Sequence, residues 1–189
     1  MMFYSVVLFV HIVSTLGIVA ALSVAALTLV RLRRATTLNE ARLWIEVAPG
    51  VPALAIGSLV FLLLSGIHMT AQMSAWTLAW PRVAVGTLFL IGPLGAVTGR
   101  RLRAIQLACA AKKPDESEIF GKLRDPILLF SMNLRIALVL GIVLLMTAKP
   151  GLAESLSVVG AFALLGIAAT FLFGRRDAVS PVARAESRQ

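Results

Sequence analysis

The chain has 189 residues, of which 59% are hydrophobic and 14% charged. A soluble domain carries roughly a quarter charged residues, so too few polar faces remain to cover a water-soluble fold of this length. The net charge is +9, but its basic residues stand beside apolar blocks rather than on a nucleic-acid-binding face, so nucleic acid is excluded as a partner and the lipid bilayer takes its place.

The first apolar block predicts a helix over residues 3–30. No basic side chain precedes Arg31, so the block lacks the positive start of a signal peptide and reads as a retained membrane helix. A polar connection follows, with Arg31, Arg33, Arg34 and Arg42. Residues 38–47 predict a short interfacial helix, with Asn39 as its cap and Leu43, Trp44 and Val47 at the headgroups.

The second span is expected over residues 51–69. Trp76 and Trp80 in the following turn fit an aromatic belt at the membrane boundary. The third span covers 81–98, with Pro81 in its first turn and Pro93 inside it. Gly95 and Gly99 form a G-x-x-x-G pattern that points to close helix packing. The polar stretch after Gly99 extends this helix beyond the bilayer until Pro114 and the acidic run behind it break it. The fourth span is expected over 127–148 and the fifth over 152–173, joined by a tight turn at Lys149, Pro150 and Gly151. Residues 175–189 read as a basic, disordered cytoplasmic tail.

Each span meets the roughly 20 residues that a helix needs to cross the hydrocarbon. The fold class is therefore all-α: a transmembrane bundle over residues 1–174 with five helices. Fifteen basic residues lie on one side, against Arg82 and Lys149 on the other. The positive-inside rule puts the N-terminus outside and the C-terminus in the cytoplasm, as expected for a multi-pass protein of the cell inner membrane. No internal repeat divides the chain, and five helices do not form two equal inverted halves.

Ionisable groups within spans are costly and mark sites. His11 lies about eight residues into the first helix, roughly 12 Å along its axis. A neutral imidazole there suits a haem or metal ligand, and equally a hydrogen bond to a neighbouring helix. His68 lies near the outer end of the second span. These are the only two histidines, so a bis-histidine haem b has one ligand pair available, His11 with His68. Their expected depths differ by several ångströms. Met69 and Met73 behind His68 offer thioethers that suit Cu(I), or packing filler. A structural zinc site would need two further ligands; the lone Cys109 sits at the far side.

Arg135 lies about eight residues into the fourth span. It reaches toward the nearer surface, or meets an anionic substrate, lipid headgroup or haem propionate. Glu154 starts the fifth span, on the outer side. No phosphate loop, metalloprotease motif or nucleophile arrangement is present.

Three segments carry a resemblance: VVLFVHIVSTLGIV, LVFLLLSGIHMTAQ and WTLAWPRVAVGTLFLIGPLGAVTGRRLRAI. Together they resemble the domain-of-unknown-function 2269 family of bacterial integral membrane proteins. That family is broadly similar to copper-resistance D-type and HemJ-type protoporphyrinogen oxidase membrane proteins, which place a histidine in an early helix, as His11 is placed here. HemJ-type enzymes also use a lysine with that histidine. This chain has no lysine before Lys112, so the oxidase pattern is not reproduced. Three functions stay open: a haem-binding protein linked to membrane electron transfer, a small transporter or metal-handling protein, and a structural or assembly subunit with a membrane partner or a second copy.

Overall fold

A computed structural model describes residues 2–46, 50–111 and 114–186, with side chains described up to Leu172. Helix α1 is Met2–Arg34, α2 Leu38–Glu46, α3 Val51–Gln72, α4 Ala79–Ala110, α5 Glu116–Leu123, α6 Pro126–Ala148 and α7 Leu152–Glu186. A short 3₁₀ turn, Ala75–Thr77, links α3 to α4. Five helices, centred on α1, α3, α4, α6 and α7, are long and apolar enough to cross a membrane. Large apolar side chains face outward along them, among them Phe9, Leu64, Phe89, Leu164 and Phe171. Apolar residues on all sides of a helix are stable only where the outer side meets lipid. The protein is a polytopic α-helical membrane protein.

The helices pack as antiparallel neighbours. On α1 and α3, Phe3 meets His68, His11 meets Ser65, and Gly17 meets Ser58. On α4 and α6, Thr98 meets Ser131 and Arg101 meets Asp125. On α6 and α7, Gly141 faces Phe162 and Asn133 meets Thr170. Two layers result, α1 with α3 and α6 with α4 and α7, and they meet along a seam between α1 and α6.

The close approaches fall at Gly17, Gly141 and Gly166 rather than at the G-x-x-x-G pair. A Cβ on Gly17 would overlap the Ser58 hydroxyl, and one on Gly166 would stand 3.0 Å from the Leu134 Cα. Gly95 faces the Arg135 side chain instead, and Gly99 has nothing within 4 Å. Small residues mark close contact only where the partner helix lies on that side.

Helix ends show local chemistry that explains the boundaries. The cap of α2 is Thr37, not Asn39. The Thr37 hydroxyl accepts from Glu40 N–H at 3.3 Å, and the Glu40 carboxylate accepts from Thr36 N–H at 3.1 Å, an arrangement close to a capping box. Asp115 caps α5 by accepting from Ser117 N–H and Glu118 N–H. Lys149 adopts φ 50° and ends α6. Helix α4 continues to Ala110, so the third span does extend past residue 98, and α7 continues past Phe173 to Glu186. The side chains of the tail, and residues 187–189, lie outside the described residues.

The end of the bundle that carries the arginine-rich connections is tied together by side chains. Arg33 donates to the Leu123 and Asp125 carbonyls at 3.3 and 3.1 Å. Arg42 donates twice to the Cys109 carbonyl, at 3.1 and 2.7 Å. The Asp125 carboxylate pairs with Arg101 and also caps α6 through Ile127 N–H. Asparagine at 125 keeps the cap and loses the ion pair; alanine loses both. Asp125→Ala is expected to cost about 1–2 kcal/mol and Asp125→Asn less than about 1 kcal/mol. Unfolding titrations in mixed micelles read the two values, and equal effects would mean that the cap contributes nothing.

Candidate functional site

His11 stands where α1 crosses α3. Its Nδ1 is 3.0 Å from Ser65 Oγ. The Ser65 hydroxyl donates its one proton to its own helix, to the Phe61 carbonyl at 2.6 Å with the Leu62 carbonyl at 3.1 Å. Ser65 Oγ therefore accepts, and His11 Nδ1–H donates. The neutral ring then carries its lone pair on Nε2. Gly66 makes room for the ring, since a Cβ there would stand 3.3 Å from His11 Cε1.

The imidazole borders a cavity of about 30 Å³ in the seam. Leu62, Gly66 and Thr70 from α3, Trp80 and Ala84 from α4, and Met146 from α6 complete its wall. That volume holds a water or two. A second cavity of about 20 Å³ continues the seam between Thr15, Ile18, Val139 and Ile142 and shares Leu62, Leu88 and Met146 with the first. Trp80 is thus drawn inward, and its Nε1–H is buried without a partner among the described residues. Trp76, four residues earlier, is exposed instead.

His68 takes a different position. It lies three residues beyond Ser65, about 4.5 Å along the helix axis, so depth separates the two histidines little. Facing separates them more. At 100° per residue, His68 is turned about 200° from Gly66 and Thr70, which line the cavity. Its ring meets Phe3 edge-on, with centroids 5.3 Å apart and planes at 78°. Its Nε2 is buried without a partner among the described residues. The two imidazoles do not share a cavity in this arrangement.

Arg135 lies on the inward face of α6, one helical turn from Val139 in the second cavity. Its Nε donates to the Ser131 carbonyl at 3.3 Å, and its Nη2 approaches Met132 Sδ at 3.8 Å. Beside it, Thr98 donates to Ser131 Oγ, and Ser131 donates to the Leu94 carbonyl, both at 2.8 Å. Glu154 is remote from Arg135 in role: its carboxylate accepts from Gly151 N–H at 3.2 Å and caps α7.

Among the described residues, no three His, Cys, Asp or Glu side chains converge as a metal site. The donor chemistry at His11 suits a single ligand bond to a metal-centred group. The wall volume does not hold a macrocycle, which needs hundreds of Å³, while α1 and α3 lie against α4 and α6 as they do here. Ser65 and Trp80 are the site residues that sequence reasoning did not assign. Ser65 carried a signal in its i−4 hydroxyl position on an apolar helix, but nothing in the sequence pairs it with His11. No family model, curated protein or solved structure matches the chain.

Proposed function

We propose that this membrane protein presents His11 as the ligand of a metal-centred cofactor, haem b, and is linked to membrane electron transfer. The observation that carries this reading is the His11–Ser65 hydrogen bond. Metal-binding imidazoles usually donate their second N–H to an oriented acceptor, and Ser65, itself anchored on two backbone carbonyls, is such an acceptor. A bound haem would supply one-electron redox chemistry. The chain would contribute the ligand nitrogen and its orientation. Because the closed seam is small, the reading requires the two layers to separate on loading.

Gentle purification from native membranes, with an absorption spectrum and metal analysis of one sample, tests this. A Soret band with iron near one per chain is the expected result. A colourless, iron-free preparation after haem-supplemented expression would refute it.

We also propose that the N-terminus faces outside and the arginine-rich end faces the cytoplasm of the inner membrane, on the strength of the basic-residue asymmetry. With Cys109 replaced by alanine, a cysteine at Ser74 is expected to react with an impermeant maleimide in spheroplasts. One at Ser117 is expected to react only after lysis. The reverse pattern would invert the topology.

A further inference from the structure

Arg135 presents a charge problem that the described chain does not solve. An arginine stays protonated in a protein. Arg135 lies nine residues into α6, roughly 13 Å along the axis from Pro126, within a span long enough to cross the hydrocarbon. A cation at that depth is costly unless an anion meets it. Among the described residues no carboxylate pairs with Arg135. Asp125 is held by Arg101 and caps α6, and Glu154 caps α7. The two guanidinium contacts are a carbonyl and a thioether sulfur. Neither supplies negative charge, and Nη1 has no hydrogen-bond acceptor among the described residues.

The direction of the side chain says where the anion comes from. Both contacts lie one turn back along α6, toward Pro126 and the arginine-rich end. Nη1 stands against Gly95, 3.4 Å from where a Cβ would be. Gly99, one turn nearer that end on the same side of α4, has nothing within 4 Å of its own Cβ position and is exposed. Neither glycine puts a side chain between the guanidinium and the arginine-rich end on this side of α4. Arg100 and Arg103, next in the chain, are exposed. Basic pockets between spans at this level suit anionic lipid headgroups.

We propose that Arg135 holds the phosphate of an anionic phospholipid, drawn from the leaflet at the arginine-rich end and entering over Gly99. An acidic side chain on a partner helix would need to approach from the flank at mid-depth, while the guanidinium is turned toward the boundary. The lipid phosphate lies in the direction it faces, and it is present around every copy of the chain.

The test compares the wild-type full chain with Arg135→Gln and Gly99→Leu after extraction and extensive delipidation. Native mass spectrometry reads the retained lipid, and thermal unfolding in nanodiscs of phosphatidylglycerol or phosphatidylcholine reads the stabilisation. Wild type is expected to retain phosphatidylglycerol about ten-fold more than Arg135→Gln, the loss of one charge-assisted contact. Gly99→Leu, which keeps the charge and puts a side chain on that side of α4, is expected to lose the lipid as well. Wild-type unfolding should rise in phosphatidylglycerol, and inorganic phosphate in phosphatidylcholine discs should not reproduce the rise. Should free phosphate reproduce it, the lipid assignment is wrong. Equal retention by all three proteins overturns the proposal. So does stoichiometric co-purification of a membrane partner that is lost from Arg135→Gln while lipid retention is unchanged. Loss of the lipid from Arg100→Gln/Arg103→Gln but not from Arg135→Gln would place the site at the surface and also overturn it.

Discussion

If the protein binds haem as proposed, His11→Ala is expected to remove the Soret band completely while leaving the bundle folded. The two effects separate because of how Ser65 is satisfied. Its hydroxyl already donates to the Phe61 and Leu62 carbonyls, so losing the imidazole orphans no buried donor. The structural cost is then one hydrogen bond, about 1 kcal/mol, and a ring-sized enlargement of an existing cavity. Ser65→Ala removes the orienting acceptor and keeps the ligand nitrogen. It is expected to weaken cofactor retention by about 10–100-fold, the usual effect of losing an outer partner of a metal-bound imidazole. His68→Ala is expected to leave the band in place, since that ring faces Phe3 rather than the cavity. Absorption spectra of the three variants at matched protein concentration make the comparison. A band that survives His11→Ala, or one lost only with His68→Ala, would shift the ligand to the second histidine.

The spans were legible because a bilayer leaves the chain few choices. Backbone groups in hydrocarbon must be satisfied within a helix, so an apolar block of the right length already states its structure. The continuation of α4 past residue 98 was also legible, in the polar stretch that runs on to Pro114. What holds it was not: Arg42 on the Cys109 carbonyl and Arg101 on Asp125 are long-range contacts, and no local pattern announces them. His11 stood out as a polar group in an apolar helix, which is a property of one residue. Its partner Ser65, the inward turn of Trp80 and the turn of His68 toward Phe3 are properties of how α1, α3 and α4 rotate against one another. The same limit applies to glycine. Gly95 and Gly99 match a packing motif, yet one faces an arginine and the other faces open space. Gly166 matches no motif and makes the closest backbone approach. For Arg135 the sequence showed the charge and its depth, whereas the absence of a carboxylate among the described residues needed the packed structure.

Gly166→Val is expected to be the most destabilising single change in the α6–α7 hairpin, and the reason lies in what it meets. A Cβ at residue 166 would stand 3.0 Å from Leu134 Cα, 3.1 Å from the Asn133 carbonyl oxygen and 3.1 Å from Ala137 Cβ. Two of those three atoms are main chain of α6, so no rotamer change relieves the contact. Alanine forces a shift costing about 1–3 kcal/mol, and the two methyls of valine add to it. Separation of the helices would also break the Asn133–Thr170 hydrogen bond at 3.3 Å, one turn further along. In lipid this loss is not offset by hydrophobic association, because the tails solvate an apolar helix as well as its neighbour does; close packing is what holds the pair. Much of the rest of α7 already faces outward through Leu164, Leu165, Phe171 and Leu172. Gly160 on the same helix provides the control, since it is exposed and has nothing within 4 Å of its Cβ position. Gly160→Val should leave unfolding in mixed micelles within error of wild type, while Gly166→Val should lower the midpoint sharply and open the hairpin to proteolysis. Equal behaviour of the two valine variants would mean that α7 is not held by its contact with α6.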